Sequence, residues 1–151
     1  MADDGSELTR DEVLRALAAL EAGWQHDEHA LAVLGERRGD ERTLPALLAL
    51  YGERTLRALL TLAVGGQDGL SSQQALDAAE ELDRSVVGRI SGVLGEALES
   101  WAQAAGDDSS AAGQIARTVI GAIAAVSQDA EGDDVLPLIA ALRAQTLRES
   151  C

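Results

Sequence analysis

Residues 71–105 read SSQQALDAAEELDRSVVGRISGVLGEALESWAQAA, and the parsing of this stretch decides the architecture. Ser71-Ser72-Gln73-Gln74 has the form of a capping box, in which a serine hydroxyl and a glutamine three residues on satisfy the first free amides of a helix. Downstream, Leu76, Ala79, Val86, Ile90, Val93, Leu94, Ala97 and Trp101 recur at the spacing of one helical face. The pattern predicts one long helix from about Gln73 to Ala105, with that stripe turned toward a core. Gly88, Gly92 and Gly95 fall on the opposite side. An interior glycine costs roughly 1 kcal/mol against alanine, so three of them predict close approach of another helix or subunit, or a bend.

Helix punctuation continues on both sides of this stretch. Thr9-Arg10-Asp11-Glu12 is a second capping box, and it opens a helix from about Arg10 to Ala22 that buries Val13, Leu17 and Leu20 and ends at Gly23. A shorter helix runs from about Glu28 to Arg38, with Leu31 and Leu34 inward and Gly39 at its end. Thr43 caps a third, which tolerates Pro45 in its first turn and stops at Gly65-Gly66. Gly106-Asp107-Asp108-Ser109-Ser110 is a loop, and Ser109 or Ser110 caps a helix to about Gln128 carrying Ile115, Val119, Ile123 and Val126. A last helix follows Asp133-Asp134, with Leu136, Ile139, Leu142 and Leu147 on its buried side. No alternating strand pattern competes. The expected fold is all-α, a single-domain antiparallel bundle of five or six helices over residues 9–148, with a flexible segment 1–8 before it and a tail 149–151 after it.

Composition agrees and narrows the function. The 151 residues include 28 alanines and 23 leucines against two tryptophans and one tyrosine, with no lysine, phenylalanine or asparagine. Alanine and leucine enter helices at little cost, and strand formers are scarce. Arginine as the only strong base points to a GC-rich bacterial gene. The formal net charge is −14, from 26 acids and 12 arginines spread evenly along the chain. Without clustered cations, direct contact with nucleic-acid phosphates or anionic lipid is not expected. The single cysteine, Cys151, rules out an intramolecular disulfide and a multi-cysteine zinc site. Met1-Ala2-Asp3-Asp4-Gly5 is acidic where a secretory signal is basic, and no run reaches the length of a membrane span, the most apolar stretch, Leu44 to Val64, being interrupted by Glu53, Arg54 and Arg57. A cytoplasmic location is expected.

Two places break the helical pattern. Trp24-Gln25-His26-Asp27-Glu28-His29 holds both histidines. On a continuous helix Asp27 would lie on the apolar side among Trp24, Ala30, Leu31 and Leu34, where an ionised carboxylate is costly. Either Asp27 is the N-cap of the second helix, with Glu28 at its positive end, or it occupies a polar site inside the bundle. His26 and His29 alone are too few for a metal, and the stretch is neither the zinc-protease His-Glu-x-x-His nor the Glu-x-x-His of di-iron bundles. No metal and no cofactor are expected.

The second anomaly is Asp83, which falls inside the stripe between Leu76 and Ile90. It should pair with a buried cation or line a cavity suited to acid–base work. Arg54 and Arg143 are the natural partners, and Tyr51 lies one turn from Arg54. Glu80-Glu81-Leu82-Asp83 resembles the Glu-x-x-Asp half of all-α nucleotide pyrophosphatases, but the upstream Glu-x-x-Glu half is missing, so four-carboxylate magnesium chemistry is not assembled. No phosphate loop or nucleophile elbow appears.

Three functions follow as expectations. The first is a non-catalytic accessory or interaction protein, a homo-oligomer or a subunit of a larger complex, binding through the apolar, small-residue surfaces of its third and fourth helices. The second is a small helical enzyme in which Asp83, Asp27, His26 and His29 supply acid–base chemistry and Arg54, Tyr51, Trp24 and Arg143 hold an anionic small molecule. An acidic imitator of nucleic acid is a third, and it requires carboxylates gathered on one face.

Overall fold

The computed structural model describes residues 7–36, 41–65, 71–127 and 135–149. Among them stand seven helices and no strand: α1 (Arg10–Trp24), α2 (Glu28–Leu34), α3 (Leu44–Gly65), α4 (Ser72–Arg84), α5 (Val86–Ala105), α6 (Ser109–Val126) and α7 (Leu136–Arg148). The all-α expectation is met; the helix count exceeds it because the long fourth helix is two. Gly39, Gly66 and Asp133-Asp134 lie outside the described residues.

The centre is built from α1, α3 and α6. Leu17 and Leu20 of α1, Leu44, Leu47 and Leu48 of α3, and Ile115, Val119, Ile120 and Ile123 of α6 bury their side chains in one cluster. Glycine and alanine bring these helices close. A Cβ at Gly23 would stand 2.6 Å from the Ala116 Cβ, and one at Gly52 would stand 2.7 Å from Val119 Cγ2. Gly23 therefore lies inside α1, packed on α6, rather than ending the helix. Around this centre, α2 and α7 pack on α1, while α4 and α5 pack on α3. Helix α6 has the length and composition of a membrane span, with mean hydropathy 1.2, contrary to the expectation that no run does; 44% of that window is buried inside the bundle.

The caps explain most boundaries. Thr9 and Ser71 form the two expected capping boxes. Asp27 accepts the Ala30 amide at 3.0 Å as N-cap of α2, and Gly35 ends that helix. Arg15 of α1 then donates twice to the Leu34 carbonyl, at 2.6 and 2.9 Å, satisfying the end of α2. Helix α6 is capped by Asp108, which accepts the Ser110 amide at 2.9 Å, rather than by either serine.

Ser85 interrupts the expected long helix. Its backbone is extended, at φ −75° and ψ 157°. Its hydroxyl donates to the Leu82 carbonyl at 2.7 Å and accepts the Gly88 amide at 3.0 Å, so one side chain closes α4 and opens α5. Gly88 is what makes this junction fit, since a Cβ there would lie 1.8 Å from the Leu82 carbonyl oxygen.

Beyond the junction, the periodicity of the sequence is right and its phase is wrong. Helix α4 buries Ala78 and Leu82, and α5 buries Gly95, Leu98 and Ala102. The stripe expected to face the core is largely outside: Leu76 is 60% exposed, Val86 61%, Ile90 63% and Val93 66%. Only its edge, Leu94 and Trp101, packs against the core. The reason is the close, antiparallel seating of α5 on α3, where a Cβ at Gly95 would stand 3.3 Å from the Glu53 side chain. Small residues allow that approach, and a row of β-branched side chains would hold the helices apart. Leu147, also expected inward, is 42% exposed on α7.

Candidate functional site

The residues singled out in the sequence lie on separate parts of the bundle. His26 has φ 57°, the left-handed region, and it stands just past the end of α1. The His26 amide donates to the Gly23 carbonyl at 3.3 Å and the Asp27 amide to the Ala22 carbonyl at 2.8 Å. This pair of bonds is the Schellman closure of a helix, at a position usually given to glycine. Arg117 of α6 covers the turn, donating to the Gly23 carbonyl at 3.1 Å with His26 Nδ1 3.4 Å away. His26 and Asp27 thus end one helix and begin the next. His29 is exposed on α2, and Trp24 is half-buried against the core. Among the described residues, no three His, Cys, Asp or Glu side chains are placed to share a metal ion.

Asp83 is not buried. It meets neither Arg54 nor Arg143 but Arg57 of α3, through two hydrogen bonds of 2.9 and 3.2 Å, with both side chains more than half exposed. Asp83 lies two helical turns after Leu76 on the outward face of α4, where Leu76 is itself 60% exposed, which removes the anomaly. The hydrogen bonds from Arg57 lower the Asp83 pKa below its ordinary 3.8. A lowered folded-state value means that the pair's contribution is present above the unfolded pKa and lost as pH falls through the folded one. Arg57→Gln should raise the Asp83 titration midpoint, followed by its side-chain carboxyl NMR shift, with little change in stability because exposed pairs contribute little. An unchanged midpoint would contradict the pairing.

Tyr51 and Arg54 do share a site, a groove of about 350 Å³ between α3 and α7 that also touches Leu142 and Gln145. Burial raises the Tyr51 pKa above 10.0, against a hydrogen bond with Thr55 that lowers it. Arg143 is elsewhere, bonded to Glu21 of α1 at 2.9 Å. A second cleft of about 460 Å³ lies between the start of α3 and the end of α5, with Arg42, Glu53 and Glu99 among its lining residues. Arg42 is paired with Glu12 of α1. Neither hollow brings a histidine to a carboxylate.

The remaining feature is the outward face of α5. Val86, Ile90 and Val93 are spaced by four and three residues, with exposed Ala97 four further on, and Val87 is 54% exposed beside them. Projected at about 100° per residue, Val86, Ile90, Val93 and Ala97 form one narrow stripe roughly two-fifths of a turn from the Gly95–Leu98–Ala102 side that packs inward. Arg89 and Glu96, both exposed, flank the stripe on its polar edge. The 4-3-4 spacing could have marked this face in the sequence. It is the seam spacing of paired helices and was masked there by the assumption that the bulkier side is the inner one. No protein-family model, curated protein or solved structure matches the chain.

Proposed function

We propose that the chain is a non-catalytic helical interaction protein, an accessory subunit of the bacterial cytoplasm, that docks through the outward face of α5. The observation that carries this reading is the exposure of Val86, Ile90 and Val93 in one register on one helix. Single exposed apolar residues are ordinary, whereas a contiguous row marks a binding surface. Burying a valine or isoleucine fully is worth about 1.5–3 kcal/mol, so the row holds several kcal/mol that folding of one chain leaves unused. An acid–base enzyme is less well supported, because His26 and Asp27 serve as helix caps while Asp83 is tied to Arg57 on another surface.

Native mass spectrometry of the untagged protein from its own host tests the proposal. The expected result is a complex heavier than the 15.7 kDa chain, lost when Val86, Ile90 and Val93 are all replaced by serine. A bare chain in both samples would overturn it.

A further inference from the structure

Resting on that reading, we infer that the occupant of the α5 face is α5 of a second copy, laid antiparallel about a two-fold axis passing near Ser91 and Gly92. The seam is self-complementary in this direction. In an antiparallel pair centred there, Ile90 of each copy meets Val93 of the other, and Val86 meets Ala97, so each bulky side chain faces a smaller one. The same operation sets Arg89 of each copy beside Glu96 of the other, forming two ion pairs along the polar edge. Among the described residues, neither Arg89 nor Glu96 has an ion pair within its own chain. A parallel pair in register would bring Arg89 opposite Leu94 instead, a residue already packed against its own core.

The acidic remainder of the surface disfavours indiscriminate association of copies, which leaves the two Arg89–Glu96 pairs to set partner and direction.

Charge reversal measured by sedimentation equilibrium tests this. The wild-type chain should show a monomer–dimer equilibrium. Arg89→Glu and Glu96→Arg should each weaken it by at least about tenfold, since each replaces two attractions with two repulsions. The double variant should recover to within about threefold of wild type, because the pairs re-form with signs exchanged. A double variant no better than the singles would overturn the antiparallel pairing, as would a wild type that stays monomeric. A monomeric wild type that nevertheless emerges from its host in a mixed complex would overturn only the second-copy assignment and leave the docking reading standing.

Discussion

Ile90→Asp should weaken dimerisation by at least about a hundredfold and leave the unfolding midpoint of the isolated chain where it is. Ile90 is 63% exposed and sits opposite no residue of its own core, so a carboxylate there stays hydrated in the monomer. In the antiparallel dimer the same carboxylate would be buried against Val93 of the other copy, and its symmetry mate would be buried nearby. Two unpaired charges inside an apolar seam are among the costliest defects an interface can carry. Sedimentation velocity reads the association, and thermal unfolding by circular dichroism reads the fold. A drop in midpoint like that of a core substitution would return Ile90 to the interior and sink the interface reading.

The second large effect is structural. Gly88→Ala should cost about 2 kcal/mol of folding stability, although alanine is the better helix former. The added methyl group would collide with the Leu82 carbonyl at 1.8 Å, a backbone atom that moves only if α4 swings away from α3. That movement would uncover Leu82 and Ala78, and it would strain the Ser85 hydroxyl that caps both helices. Chemical denaturation in the Ile90→Asp background keeps the measurement free of dimer. A loss below about 0.5 kcal/mol, the scale of an ordinary surface change, would mean that the junction does not depend on Gly88.

The contrast between Ser71 and Ser85 shows where the sequence was legible. Ser71 carries Gln74 three residues on, and that reciprocal pair announces a helix start whatever surrounds it. Ser85 has Gly88 in the same place, which offers an amide and no side chain, so half the signature is absent. Apolar residues on either side at unbroken helical spacing then concealed the break. Asp27 could be read as a cap because a short polar side chain before an apolar run has a local cause. The left-handed turn at His26 had no such sign, since glycine is the usual occupant and the nearest glycine, Gly23, is spent on packing against Ala116.

The phase of α5 was out of reach for a related reason. Periodicity says which residues share a face but not which face is inner, and α5 has two apolar faces of different bulk. One, with Gly95, Leu98 and Ala102, is shaped to lie close to α3. The other, with Val86, Ile90 and Val93, is larger, and reading the larger one as the core followed the usual logic of burial. Asp83 looked buried only because it was counted on that second face; with the face outward, its pairing with Arg57 needs no cavity. The apolar residues of α5 are thus distributed over two faces, one packed on α3 and one exposed.

Electron–electron distance measurement on a spin label at Gln103, in a Cys151→Ser background, tests the α5 seam most directly. Gln103 is exposed near the end of α5, away from the stripe. With the axis between Ser91 and Gly92 and a rise of about 1.5 Å per residue, the two labels of an antiparallel dimer should stand about 35 Å apart. A separation under about 20 Å would require parallel helices, whose axes pack about 10 Å apart, and the absence of any dipolar coupling in concentrated protein would mean that two copies do not meet; either result contradicts the antiparallel α5 dimer.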